Sequence, residues 1–163
     1  MGTIIALITI FLIFIILCSF FFLIAISDAR VSEKSALELY NNLPNSIQNK
    51  WVVRYNIGRP QGRFLKMKTF QGNGVLYITD GMIKFEDILG NESHNFNLSE
   101  SKLSWVENKI NGITNAFKIV DKDVSMFFYI DKGNLVANSI NGNESTSILY
   151  SKLKTLRKNY KTD

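Results

Sequence analysis

Cysteine, histidine and proline are almost absent from this chain, and each shortage removes a class of structure or chemistry. The single cysteine, Cys18, lies inside an apolar run, so the rest of the chain contains no disulfide. His94 is the only histidine, and no carboxylate pair has a familiar ligand spacing, so neither a metal centre nor a Ser-His-Asp system is expected. With only Pro44 and Pro60, and with frequent aromatic residues, the composition favours a packed globule over a disordered tail.

Charged residues are missing from 3–26, a run that is dense in Ile, Leu and Phe. About 24 helical residues at about 1.5 Å each reach about 36 Å, which exceeds the roughly 30 Å hydrocarbon core of a bilayer. Because lipid offers the backbone no hydrogen-bonding partner, a single segment in that environment is helical. The run therefore predicts a transmembrane anchor, and the lipid bilayer is the first partner that the sequence indicates.

A cleaved signal peptide is the alternative interpretation of the same run, because Ala25-Ile26-Ser27 fits a small-x-small cleavage pattern. The run is longer, however, than the usual signal-peptide core of about 7–15 residues, and no Lys or Arg precedes it. These two features favour the anchor. Arg30 and Lys34 follow the run closely, so the positive-inside rule predicts a single-pass protein with its C-terminal domain in the cytoplasm; a translocated domain stays open as the alternative.

Composition and charge divide the chain into an anchor, a juxtamembrane helix or linker, and a β-rich domain, over 1–27, 28–49 and 50–163. The net charge of +5 belongs to the part outside the anchor and suits a surface near anionic lipid, although many inert domains are equally basic. In the linker, Ala36, Leu39 and Leu43 share one face of a helix predicted over 32–43. We expect that face to pack on the domain.

From Trp51 onward the hydrophobic period changes from helical to two, and Gly and Asn recur at short intervals. Asp80-Gly81 between two alternating segments predicts a tight hairpin. The glycine-rich stretch 71–74 is expected to turn the chain into the first of those segments. The whole pattern predicts short antiparallel strands over 51–57, 63–70, 75–79, 82–88, 94–98, 104–110, 115–121, 124–130 and 135–138.

The chain closes with an amphipathic helix, in which Leu149, Leu153 and Leu156 recur at helical spacing. Asn143 is the predicted N-cap, with Glu144 in the first turn. The opposite face is expected to carry four cations, namely Lys152, Lys154, Arg157 and Lys158. Seven or more short strands followed by one helix predict a mainly β (α+β) domain, a small antiparallel barrel or sandwich with the helix at one end.

The segment 74–85, which reads Gly-Val-Leu-Tyr-Ile-Thr-Asp-Gly-Met-Ile-Lys-Phe, resembles a hairpin of the pleckstrin-homology (PH) superfold, and within it of the bacterial PH-like and GRAM-type domains. Residues 96–99 stand where that family has its next strand, 116–130 resemble the following hairpin, and 145–156 resemble the C-terminal helix that caps the barrel. The resemblance covers about 50–156. It implies a binding or scaffolding module that is not an enzyme and carries no cofactor.

Many members of this superfold bind phosphoinositides or other acidic lipids through basic residues on the first two strands and their loop. The positions here that correspond are Arg54, Arg59, Arg63, Lys66 and Lys68. Guanidinium forks and lysine point charges suit a phosphate group, although basic residues on exposed strands are also ordinary protection against edge-to-edge pairing.

Two functions follow. The first is a non-enzymatic binding or scaffolding module at the membrane surface, with a protein partner or an acidic lipid as its ligand. The second is a structural subunit of an envelope assembly, with the domain translocated. An enzyme would need clustered carboxylates, for which Glu86, Asp87 and Asp121 are the candidates. Nucleic-acid binding, suggested by the interleaved aromatic and basic residues of 63–70, is disfavoured by the membrane tether.

Overall fold

The structure is a computed structural model that describes residues 11–20, 31, 34–59, 70–107, 115–130 and 144–160. The chain divides into two compact units, 1–34 and 35–163, and each is described by itself. Residues 35–49, assigned to the linker from sequence, belong to the same unit as the strands.

In the first unit, residues 11–20 are helical and their side chains are exposed. The hydroxyl of Ser19 donates a hydrogen bond to the carbonyl oxygen of Ile15 at 2.8 Å, so this polar group is satisfied within the helix itself. No helix in the described part of the chain combines the length and the apolarity that crossing a membrane requires. The predicted span over 3–26 extends beyond 11–20 on both sides, outside the described residues, and transmembrane anchoring stays a prediction.

In its described residues, the second unit contains helical residues 35–42, seven strands and a C-terminal helix that spans Thr146–Tyr160. The strands are β1 (Lys50–Ile57), β2 (Gly72–Thr79), β3 (Met82–Asp87), β4 (Ser93–Asn97), β5 (Lys102–Val106), β6 (Ala116–Asp121) and β7 (Val124–Tyr129). The prediction of an α+β domain with seven antiparallel strands and a terminal helix is confirmed. The strand predicted over 135–138, and nearly all of the one over 63–70, fall outside the described residues.

All seven strands join in one antiparallel sheet in the order β4-β3-β2-β1-β7-β6-β5. Its two edge strands, β4 and β5, follow one another in the chain and are linked only by residues 98–101. In a flat sheet the edges would stand about 29 Å apart at about 4.8 Å per strand, whereas the link from Asn97 to Lys102 reaches at most about 18 Å. The sheet is therefore strongly curled, and its concave face encloses a core.

The concave face holds the main hydrophobic cluster, to which β1 contributes Trp51, Val53 and Tyr55 at alternate positions. Phe85 lies at the middle of this cluster, with its ring centroid 4.7 Å from that of Tyr55 and 5.2 Å from that of Phe128. Tilted ring pairs at these distances add to the free energy gained by burying apolar area. Two leucines of the C-terminal helix, Leu149 and Leu153, are fully buried in the same cluster, so the helix packs on the concave side.

A second, smaller cluster covers the opposite face of the sheet, where helical residues 35–42 pack on β1 and β2. It includes Ala36, Leu39, Leu43, Val52, Val75 and Tyr77. Lys50 of β1 stabilises the packing of this helix through two contacts with Tyr40. Its ammonium donates a hydrogen bond to the Tyr40 carbonyl oxygen at 3.0 Å and lies 4.3 Å from the centre of the Tyr40 ring. The expectation that the Ala36, Leu39 and Leu43 face packs on the domain is confirmed.

The hairpin predicted at Asp80-Gly81 is confirmed. Thr79 pairs with Met82, and the two residues between them have φ values of 51° and 71°. A two-residue turn of this kind requires positive φ at both central positions, because only then does its twist match that of the strands.

The expectation of a turn over 71–74 is wrong, because β2 already begins at Gly72. Both glycines lie in the strand beneath aromatic rings: a Cβ at Gly72 would lie 2.8 Å from Tyr55 Cε1, and one at Gly74 would lie 2.5 Å from Phe85 Cε2. These glycines allow two rings to approach the strand backbone, which is the other physical reason for glycine in a strand.

The N-cap of the C-terminal helix is Ser145. Its hydroxyl oxygen accepts the N–H of Ile148 at 3.3 Å, and its carbonyl oxygen accepts the N–H of Leu149 at 2.9 Å. Glu144 therefore precedes the helix, and the prediction that placed it in the first turn is wrong. Asn143, the predicted cap, lies outside the described residues.

Glu144 instead joins the helix start to the sheet. Its Oε2 accepts a hydrogen bond from Nε1–H of Trp51 at 2.7 Å, and its Oε1 pairs with the ammonium of Lys152. One carboxylate thus satisfies the indole of a core tryptophan and fixes a lysine on the helix surface.

Candidate functional site

The curled sheet has two ends, and the C-terminal helix covers one of them. At the helix start, the Thr146 hydroxyl oxygen accepts the N–H of Ile130 at 3.0 Å. At its last residue, Tyr160 lies close to the β2–β3 turn, where a Cβ on Gly81 would be 3.4 Å from its ring. The opposite end carries the β1–β2 connection and the β3–β4 and β6–β7 turns. We call it the open end, and it is marked by the strand termini Ile57, Gly72, Asp87, Ser93 and Val124.

Two of the five basic residues predicted to contact acidic lipid are described, and both lie toward the open end. Arg54 is on the outer face of β1, with its guanidinium carbon 4.0 Å from the centre of the Phe70 ring, a cation–π arrangement. Arg59 is exposed just beyond β1. The other three, Arg63, Lys66 and Lys68, lie outside the described residues, so the cluster as a whole stays a prediction.

The base of the β1–β2 connection is closed by two side-chain hydrogen bonds. The N–H of Gln71 donates to Asn56 Oδ1 at 2.8 Å, and the N–H of Ile57 donates to Gln71 Oε1. Asn56 is itself buried, so its amide is held in place. These contacts fix where the chain leaves β1 and, with it, the position from which Arg59 projects.

Inside the open end, the concave face becomes polar. Asp87 is only 5 % exposed and faces Tyr55 across Gly72, whose missing Cβ leaves space between the carboxylate and the phenol. Burial raises the pKa of the Asp87 carboxyl above its ordinary value, and the charge of Glu92 adds to the rise. The N–H groups of Leu89 and Ile88 and the hydroxyl of Tyr55 oppose it by hydrogen bonding to the carboxylate. Burial also raises the pKa of Tyr55 to about 12, reinforced by the charges of Asp87 and Glu92.

Glu92 and His94 continue this polar lining on β4 and the turn before it. Glu92 Oε2 lies 3.0 Å from His94 Nε2, and the His94 ring stacks on Phe96 with centroids 6.1 Å apart. The Asp87 carboxylate therefore faces the interior of the open end, close enough to Glu92 to feel its charge, whereas Arg54 lies on the outer face. This separation of charge disfavours a phosphate group inside the curl and favours one on the outside.

We expect Asp87→Asn to stabilise the protein at neutral pH by about 1 kcal/mol, because it removes a poorly compensated buried charge while keeping an acceptor for the turn N–H groups. The native carboxyl binds its proton more tightly than the unfolded one, whose pKa is near 3.8. Wild-type stability therefore falls as pH rises from that value through the raised native pKa, and the variant loses this slope. Urea titrations between pH 4 and pH 8 measure both effects.

The exposed Asp123→Asn is the matched control for this prediction and should change neither the stability nor its pH dependence. An Asp87→Asn protein that is less stable than wild type at pH 7, with an unchanged dependence of stability on pH, would contradict the assignment of Asp87 as a buried carboxyl with a raised pKa.

Two of the three carboxylates considered for an enzyme, Glu86 and Asp87, do not converge. Glu86 and Asp87 are neighbours in β3 and so face opposite sides of the sheet. Glu86 Oε1 accepts the hydroxyl of Tyr77 at 2.5 Å on the outer side, where burial, aided by this hydrogen bond, raises the pKa of Tyr77 to about 12. Across the ranges that the structure describes, no three His, Cys, Asp or Glu side chains are grouped to hold a metal ion.

A groove of about 570 Å³ runs along the outer side of the C-terminal helix. It is lined by Asn49, Ser147, Ile148, Ser151, Lys152, Thr155 and Leu156. The volume lies within the range of about 300–1,000 Å³ that is typical of ligand sites. Sequence reasoning did not identify this groove, although the signal was present as Ser, Ser and Thr at four-residue intervals.

The prediction of a cationic face on this helix is partly wrong. Arg157 is half-buried and its Nε is enclosed, because it follows Leu153 by four residues and so lies near the buried stripe. Lys152, Lys154 and Lys158 are exposed, as predicted. The centre of the outward face is formed by the small hydroxyl residues, with lysines on either side.

The chain was compared with known proteins in three ways. No protein-family model matches it, and neither the curated proteins nor the solved structures contain a match.

Proposed function

We propose that this chain is a single-pass membrane protein whose β domain is a non-enzymatic binding or scaffolding module at the membrane surface. The observation that carries the proposal is the charge-free run 3–26, followed after only about eight residues by a folded unit that begins at 35. At about 3.3–3.6 Å per residue, such a link reaches at most about 30 Å, so a domain tethered by it works close to the bilayer.

The finer assignment, a PH-like barrel behind the anchor, is part of the same proposal. It is supported by the seven antiparallel strands, by the Asp80-Gly81 hairpin between β2 and β3, and by a terminal helix that packs on the concave core. The curl of the sheet gives the shape that a small barrel needs.

The ligand of this module is a protein partner or an acidic lipid head group. For lipid, the contact surface is the outer side of the open end, where Arg54 and Arg59 lie and from which the connection carrying Arg63, Lys66 and Lys68 departs. Each cation near an anionic surface contributes about 1 kcal/mol, and the contribution falls with salt.

Co-sedimentation of residues 28–163 with vesicles tests the lipid version. We expect binding to anionic vesicles but not to neutral ones, weakening as salt rises, and weakening at least tenfold when Arg63, Lys66 and Lys68 are changed to Gln. Lys154→Gln with Lys158→Gln is the control for removing positive charge elsewhere on the domain. Binding to anionic vesicles that does not exceed binding to neutral ones would contradict the lipid version and leave a protein as the ligand.

Reporter fusions at the C-terminus test the side of the membrane. If the domain is cytoplasmic, we expect activity from a fused reporter that works only in the cytoplasm. Activity only from a reporter that works after export would contradict the cytoplasmic placement and support the translocated envelope subunit.

A further inference from the structure

The outward face of the C-terminal helix is built as a groove between two ridges. Its floor is the row of small residues Ser147, Ser151 and Thr155, all exposed. One ridge follows the neighbouring four-residue row, Ile148, Lys152 and Leu156, with Asn49 lining the groove beside it. The other ridge is the row on the far side of the floor, Tyr150, Lys154 and Lys158, which lies outside the groove lining. Rows of residues four apart form the ridges and grooves through which helices pack against one another, so a floor of small side chains admits a partner's ridge.

Apolar surface is exposed along one side of this groove. Ile148 is 43 % exposed although it lies in a concave part of the surface, and Leu156 beside it is half-buried. Exposed apolar surface in a concavity of ligand size is typical of a docking site, whereas a single exposed Ile on a convex surface is ordinary.

The charge along this helix has one sign. Its fifteen residues include Lys152, Lys154, Arg157 and Lys158 and no Asp or Glu. Lys152 is fixed on one ridge through Glu144, which in turn accepts the indole N–H of Trp51. On the other ridge, the ammonium of Lys154 lies 5.7 Å from the centre of the Tyr150 ring. The groove therefore has a floor of small hydroxyl side chains, exposed Ile148 and half-buried Leu156 along one ridge, and lysines on both ridges.

We propose that this groove binds an acidic amphipathic helix of a partner protein. The inference rests on the proposed function and deepens it, because it names the surface and the chemistry of the protein ligand. A row of apolar side chains on the partner fills the space above Ser151, and Asp or Glu on either side of that row meets the two lysine ridges. This is helix-in-groove recognition, with charges at the rim that set orientation and specificity.

Two other occupants fit the same surface less well. A second copy docked isologously through this face would bring lysine ridges together, and like charges oppose that contact. A bilayer favours a face with large apolar side chains, whereas the centre of this face consists of Ser and Thr.

The test uses the full chain in detergent micelles and a pair of fluorescein-labelled synthetic helices as probes. Both probes carry Leu at four-residue intervals; one has Glu on either side of the Leu row, and the other has Gln at those positions. We expect anisotropy titrations to show binding of the Glu probe at least tenfold tighter than binding of the Gln probe. Ser151→Phe, which fills the groove, should weaken the Glu probe at least tenfold, and Lys152→Gln with Lys158→Gln should weaken it to a similar extent.

Lys122→Gln, in the β6–β7 turn at the open end, is the matched control and should leave probe binding unchanged. Equal binding of the two probes, no binding of the Glu probe, or insensitivity to Ser151→Phe would each overturn the proposal. Vesicle binding that is lost in the Lys152 and Lys158 double variant would also overturn it and reassign the face to lipid. Each of these results would overturn the groove proposal alone. The proposed function would still hold as long as the chain remains anchored in membranes, so failure of the groove proposal can be told from failure of the proposed function.

Discussion

Gly74→Ala is expected to destabilise the protein by more than about 3 kcal/mol, a large part of the roughly 5–15 kcal/mol that holds an ordinary domain folded. The new Cβ would lie 2.5 Å from Cε2 and 2.7 Å from Cζ of Phe85, and against the backbone carbonyl oxygen of Glu86. Phe85 is fully buried between the rings of Tyr55 and Phe128, so it has no alternative position. Urea titrations followed by tryptophan fluorescence measure the loss.

Two controls separate the steric cause from the general effect of replacing a glycine. Gly90→Ala introduces a side chain where φ is 69° and nothing lies within 4 Å, so it should cost only about 1 kcal/mol of backbone strain. Phe85→Leu should cost less in the Gly74→Ala background than alone, because a smaller side chain relieves the contact. Equal effects of the two alanines would contradict the packing account.

Leu153→Ala is expected to cost about 2–5 kcal/mol, the second large effect. Leu153 is fully buried among residues of the sheet, on the side of the helix that closes the concave core, and truncation leaves a cavity there. Thermal unfolding should show a lower Tm, and the transition should remain a single cooperative step if the helix and the sheet share one core.

Lys154→Ala, one position further along and exposed, is the matched control and should change stability by no more than about 0.5 kcal/mol. A Leu153→Ala protein as stable as this control would mean that the helix does not close the core.

The elements that the sequence predicted correctly are those whose signals are local. Asp80-Gly81 encodes its own turn, because the two residues tolerate positive φ and stand between alternating strands. Leu149 and Leu153 place the helix on the core by spacing alone. The packing of Ala36, Leu39 and Leu43 followed from the same periodicity.

The predictions of a turn over 71–74 and of the helix N-cap were wrong because the local sequence was compatible with two structures in each case. Glycine marks turns, but Gly72 and Gly74 are glycine because the rings of Tyr55 and Phe85 lie on them, and that requirement arises from partners distant in sequence. Asn143 and Ser145 are both good N-caps; the structure places the cap at Ser145, whose hydroxyl oxygen accepts the N–H of Ile148.

Only part of the polar interior of the open end could be predicted from the sequence. Alternation in β3 places Asp87 on the same face as Phe85, which indicates an inward carboxylate. Its meeting with Tyr55 and Glu92 depends on the order of the strands and the curl of the sheet, which no local pattern specifies. The groove was not predicted, because the helical pattern indicated only a cationic face and did not distinguish the small residues that lie between the lysines.

The central claim, an uncleaved anchor that holds the domain at a membrane, is tested most directly by the intact mass of the full chain recovered from membranes after alkaline carbonate extraction. The account predicts that the chain stays in the membrane pellet at its full mass of 18.6 kDa. Recovery in the carbonate supernatant, or a mass shortened by removal of the residues up to Ser27, would contradict it.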